Sequence, residues 1–98
     1  MAEVYLVIRF DWTDIDYYDE GEEVLGVFTT KEGAVKAAND YILKKIDDAK
    51  SYNEEYYIKP EKELEYSDFE DNDGYEYYRE TDYRGTEIYI RVMKLNEI

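Results

Sequence analysis

Negative charge in this chain is gathered into two blocks, and that segregation limits what the fold can be built from. Residues 11–23 (DWTDIDYYDEGEE) and 51–83 (SYNEEYYIKPEKELEYSDFEDNDGYEYYRETDY) are acidic and rich in tyrosine. Residues 1–30 hold eight acids and one base, and residues 51–83 hold twelve acids and three bases. Residues 31–50 and 84–98 each carry a net +1, so the surplus that makes the whole chain −14 sits in the two blocks. Runs of like charge are solvated rather than packed. The core must therefore come from the apolar segments between and beside them.

Those segments have clear periods. Residues 3–10 (EVYLVIRF) are β-branched and aromatic with no breaker. Val4, Leu6, Ile8 and Phe10 share one face and Tyr5, Val7 and Arg9 the other, which predicts a central strand. Residues 22–28 (EEVLGVF) predict its hairpin partner, and Gly26 inside it marks a bulge or a close contact. Thr29 and Glu32 form a capping-box pattern. Ala34, Val35, Ala38, Tyr41, Ile42, Ile46 and Ala49 then recur at three- and four-residue steps, an apolar helical stripe. Lys44, Lys45 and Lys50 complement the far end of that helix dipole.

Pro60 interrupts any long element in residues 51–74. Residues 56–58 suggest a short strand, residues 61–66 a strand or a helical turn, and Asp71-Asn72-Asp73-Gly74 a turn. Residues 75–81 and 86–95 predict two more strands joined by a turn at 82–85, with Ile88, Ile90 and Val92 on a buried face. The expected architecture is α+β: one domain over residues 1–98, an antiparallel sheet of about four strands with one main helix packed on one face. The opposite face and the loops are expected to carry the acids and tyrosines.

The run VYLVIRF, then an acidic loop, then VLGVFTTKEGAVKAA (within residues 4–38) resembles small uncharacterised acidic proteins of phages, bacteria and fungi. These share a strand ending in a Gly-Val-aromatic-Thr/Ser step into an Ala-rich helix. The resemblance covers the first half of the chain and implies a β-β-α start; it implies no chemistry.

Composition closes off several function classes. With no Cys and no His, nucleophilic triads and the commonest metal ligands are excluded, and no cofactor is expected. The acids lie mostly in polar contexts that would not raise a carboxylate pKa, so an enzyme is not expected. An EF-hand register with its Gly at Gly74 puts Phe69 where the first carboxylate ligand belongs, which leaves an acidic turn as the better reading. No run reaches membrane-spanning length and residues 1–8 lack a signal-peptide pattern, so a cytoplasmic protein is expected, in the host cytoplasm if phage-encoded. The charge opposes direct binding to nucleic acid or an anionic membrane.

Acids interleaved with tyrosines suit a basic protein partner, since tyrosine joins a rigid contact area to a hydroxyl. Acids at i, i+2 on extended chain lie about 6.5–7 Å apart. Asp14/Asp16, Glu61/Glu63/Glu65 and Asp71/Asp73 have this spacing, close to that of successive phosphates. The leading expectation is a nucleic-acid mimic that fills the basic groove of a nucleic-acid-binding protein or nuclease and inhibits it. It resembles in type the DNA-mimic anti-CRISPR and anti-restriction inhibitors. The alternative is an immunity-like or regulatory module dedicated to one basic partner. The chain would act as a monomer or homodimer. The partner-binding candidates are Asp14, Asp16, Tyr17, Tyr18, Asp19, Glu20, Glu61, Glu63, Glu65, Asp68, Glu70, Asp71, Asp73, Glu76 and Tyr78.

Overall fold

The computed structural model describes residues 2–13, 21–51, 56–70, 74–80 and 84–95. Strand β1 (Ala2–Thr13) pairs with β2 (Gly21–Phe28), helix α1 (Lys31–Asp48) follows, and β3 (Tyr75–Glu80) and β4 (Arg84–Leu95) complete the fold. The strands form one antiparallel sheet in the order β2-β1-β4-β3. The expected α+β sheet-and-helix architecture is therefore what the chain adopts. The breaker-free run at the start of the chain becomes a central strand, paired along its whole length from Ala2↔Leu95 to Thr13↔Arg84.

Helix α1 lies on the face that holds Tyr5 and Val7 of β1, and Ile88 and Ile90 of β4. Ala34, Ala38 and Ile42 are fully buried there with Val7, Phe69, Ile88 and Ile90. Two alanines on the contact stripe remove bulk and let the helix sit close to the sheet. The cap is Thr30 rather than Thr29: its hydroxyl accepts from the Gly33 amide at 3.0 Å. That shift puts Gly33 three residues on, so Glu32 cannot complete a capping box. Gly26 combines both expected roles. The β1–β2 register shifts between Val7 and Ile8, and a Cβ at Gly26 would lie 2.8 Å from the Phe28 ring.

Residues 56–70 form a strap across the same side. Tyr57 makes an isolated bridge to Tyr78, and the Ile58 amide donates to the Tyr77 carbonyl at 2.9 Å. Residues 61–66 make no strand; a 3-10 turn spans Tyr66–Phe69 and drives Phe69 into the core. The strap is fastened to the helix by Asn39, the one buried polar side chain of the described residues. Its amide nitrogen donates to the Leu64 carbonyl at 3.0 Å, and its oxygen accepts from the Leu64 amide at 2.9 Å. One side chain thus does for Leu64 what a neighbouring strand would do.

Two expectations about faces are overturned. Val92 is not buried with Ile88 and Ile90 but 39% exposed. More important, the face away from the helix is not the acidic, tyrosine-bearing one. It carries the more apolar side of β1 (Val4, Leu6, Ile8, Phe10, Trp12), because the parity of β1 turns Tyr5 and Val7 toward the helix. Three acids, Glu22, Glu76 and Glu87, do lie on that outer face. The tyrosines of β3 and the strap pack on the helix side instead.

Candidate protein-binding surface

The two hairpins point the same way. Thr13, where the chain leaves β1, is paired with Arg84, where it enters β4. Gly21 opposes Asp11, and Glu80 opposes Arg84. Helix α1 starts beyond Phe28 at the other end of the sheet and runs back, with Tyr41 over Tyr77 near the hairpin end. Tyr57, just after residues 52–55, bridges Tyr78, which faces Thr86 in that same region. The chain therefore enters and leaves segments 14–20, 52–55 and 81–83 at one end of the molecule.

Charge is divided sharply between the described residues and the rest. All twelve lysines and arginines lie in described residues, with sixteen of the twenty-six acids, so the described part is net −4. The other ten acids, with no base among them, lie in residues 14–20, 52–55, 71–73, 82 and 97. Seven of the ten belong to the three segments whose flanks meet at the hairpin end: Asp14, Asp16, Asp19, Glu20, Glu54, Glu55 and Asp82. Tyr17, Tyr18, Tyr52 and Tyr83 belong to them as well.

Five described acids at that end, Asp11, Glu22, Glu23, Glu76 and Glu80, are held by arginine. Arg9 reaches Glu23 at 3.0 Å and Asp11 at 3.4 Å, leaving its Nε buried without a partner. Thr86 donates to Asp11 at 2.9 Å. Arg84 donates to Glu80 at 2.9 Å, as does the Tyr78 hydroxyl. These bonds, Arg84 foremost, hold the Glu80 carboxyl below its ordinary range. On the outer face Trp12 lies across Gly85, and its Nε1 donates to Glu76 at 3.0 Å. Arg79 also donates to Glu76, at 3.3 Å, and sits 5.3 Å from the Trp12 ring. Arg91 pairs with Glu22 at 3.4 Å, and Tyr89 also donates to Glu22. Glu87 stands opposite Glu76. Burial, and then the facing carboxylate, push its pKa up.

The candidates separate accordingly. Asp14, Asp16, Tyr17, Tyr18, Asp19, Glu20, Asp71 and Asp73 lie outside the described residues. Glu61, Glu63, Glu65 and Glu70 are exposed. Glu63, however, shares a shallow depression with Lys31, Glu32, Lys36, Asp40 and Tyr66, a mixed surface rather than a row of negative charge. Glu65 and Asp68 cap the 3-10 turn reciprocally, Asp68 accepting from the Glu65 amide at 2.8 Å. Glu76 holds Trp12, and Tyr78 packs at 4.9 Å against Tyr57. Phe69, the residue at the EF-hand's first ligand position, is fully buried.

None of the nine described tyrosines is fully exposed. Tyr57 stacks on Tyr77, Tyr41 packs tilted against Tyr77, and Tyr78 and Tyr56 lie beside them. Burial, together with Tyr41, pushes the Tyr77 phenol well above its usual range. The residues that sequence reasoning missed are Asn39 and Arg9. An Asn on the flank of an apolar stripe and the single base of residues 1–30 were the available signals.

Among the described residues no three acids are arranged to hold a metal ion, and no helix is long and apolar enough to cross a membrane. Comparison with protein-family models, curated proteins and solved structures finds no match to this chain.

Proposed function

We propose that the chain is a non-enzymatic acidic protein that occupies the basic groove of a nucleic-acid-binding protein, as a nucleic-acid mimic, and inhibits it. One observation carries this reading: three base-free acidic segments are entered and left at one end of a nearly neutral, arginine-braced scaffold. Acidic segments that hold no base of their own speed encounter with a basic surface, and such binding weakens as salt rises. The lysines of a nucleic-acid groove respond chiefly to charge and spacing, which carboxylates supply. The described acids that are paired with arginine belong to the platform and not to the contact. A partner dedicated to this chain alone is the second reading, favoured by the four tyrosines in the same segments, which suit a specific interface.

The test is capture from nuclease-treated lysate on the immobilised chain, followed by elution with duplex DNA or RNA. Mimicry predicts nucleic-acid-binding proteins released by the nucleic acid and by salt. Partners that neither nucleic acid nor salt displaces would contradict it.

A further inference from the structure

The two edges of the sheet are finished differently. On the β3 side the strap closes the edge: Tyr57 bridges Tyr78, Glu70 bridges Ile90, and the Ile58 amide donates to the Tyr77 carbonyl at 2.9 Å. On the β2 side, among the described residues, only β1 pairs with the strand. Half of a strand's amides and carbonyls point away from its one neighbour, so the outer edge of Gly21–Phe28 presents a row of backbone groups open to pairing.

Edge strands are ordinarily guarded by lysine, proline, a bulge or a charge held over the edge. β2 has no lysine, arginine or proline. Its two charges are drawn off the edge and onto the sheet. Glu23 turns to Arg9 of β1 at 3.0 Å, and Glu22 reaches past β1 to Arg91 and Tyr89 of β4. The bulge, with Leu25 as its extra residue, leaves Gly21–Val24 in unbroken pairing with β1, and all four of these residues are exposed. Residues 14–20 join the sheet at this stretch: Asp14, Asp16, Asp19 and Glu20, with no base among them, lead directly to Gly21.

We propose that this edge takes up an extended basic segment of the partner as a fifth strand, antiparallel to β2, with its lysines or arginines running on past Gly21 toward the base-free acids. The inference rests on the reading that the partner is basic and says how that partner is gripped. In this mode of recognition backbone pairing supplies affinity, and the side chains beside the edge supply choice. Charge selects the occupant. An acidic strand would set like charges side by side, and a second copy would bring another −14 to the same edge. A strand antiparallel to β2 passes Val27 and Val24, 60% and 51% exposed, before it reaches the acids. The segment that fits is therefore alternating and apolar first, and basic at its C-terminal end.

The test is binding of a synthetic peptide to the full chain, followed by amide hydrogen exchange. The probe alternates valine and threonine and ends in a run of lysines. One control is N-methylated throughout its strand-forming part and keeps every charge; a second replaces the lysines with serine. The probe should bind and slow exchange in β2 but not in β3, and each control should bind at least about tenfold more weakly, near 1.4 kcal/mol. An N-methylated control that binds as well as the probe overturns the proposal, because charge alone then suffices. A serine control of equal affinity overturns the choice of a basic occupant. Failure of the probe to bind, or protection that falls on β3 instead, overturns it as well. So does slowing of β2 exchange with protein concentration alone, since a second copy then holds the edge. The mimic reading fails separately, when captured partners resist elution by nucleic acid and salt, and it survives an N-methylated control that binds as well as the probe.

Discussion

The side-chain amide of Asn39 satisfies both backbone polar groups of Leu64, at 3.0 and 2.9 Å. It is the only buried polar side chain among the described residues, and it ties the strap of residues 56–70 to the helix. Asn39→Ala would leave a buried N–H and a buried C=O without partners. Each such loss costs about 1–3 kcal/mol, so the variant should lose roughly 2–4 kcal/mol in urea unfolding. A loss below about 0.5 kcal/mol, the scale of an ordinary surface change, would show that the strap is not held this way.

Gly85 is needed because Trp12 lies on it. A Cβ there would come within 2.8 Å of both the indole and the Glu76 carboxylate. Gly85→Ala should push the indole off β4, break its bond to Glu76 and cost about 1–3 kcal/mol. Trp12 is the only tryptophan, so its emission reports the displacement directly. Unchanged emission with unchanged stability would contradict this geometry.

Glu87 and Glu80 should respond to pH in opposite senses. Burial and the facing Glu76 raise the Glu87 pKa, so the folded state binds its proton more tightly than the unfolded chain. Its penalty is therefore full near neutral pH and is relieved as pH falls through the folded value toward the ordinary range near about 4.3. Glu87→Gln should raise the melting temperature near neutral pH, by roughly 2 °C, with the gain fading in acid. Arg84 and Tyr78 lower the Glu80 pKa, so its contribution is present above the ordinary value and lost as pH falls through the folded one. Glu80→Gln should destabilise near neutral pH and matter least in acid. Two variants with parallel pH profiles would refute the assignment.

Much of the fold was legible because period-two and period-3.6 patterns survive in the scaffold. The alternation in residues 3–10 marks β1, and the stripe from Ala34 to Ala49 marks the helix. What alternation cannot say is which face the helix covers. Both sides of β1 are apolar, and the side with Val4, Leu6 and Ile8 proved to be the one away from the helix, although Ile8 itself is buried there. Tyrosine misled for a related reason. Its ring packs and its hydroxyl stays wet, so acid neighbours in sequence do not reveal that Tyr57, Tyr77 and Tyr78 pack against one another at the margin of the core. Among the candidates, Glu76 and Asp68 read as free acids in sequence, but Trp12, 64 residues away, and the Glu65 amide occupy them. Only the third dimension brings in the first. Asp14–Glu20 and residues 71–73 lie outside the described residues.

The most direct measurement of the central claim is the affinity of one captured basic partner for two charge-reversal variants, with circular dichroism as the check on folding. One variant carries Asp14→Lys, Asp16→Lys, Asp19→Lys and Glu20→Lys at the hairpin end; the other carries Glu61→Lys, Glu63→Lys and Glu65→Lys on the strap. If the acidic end is the contact, the first should weaken binding at least about 100-fold, near 3 kcal/mol, and flatten its salt dependence, while the second changes it little. Equal affinity for the first variant and the native chain would contradict the account.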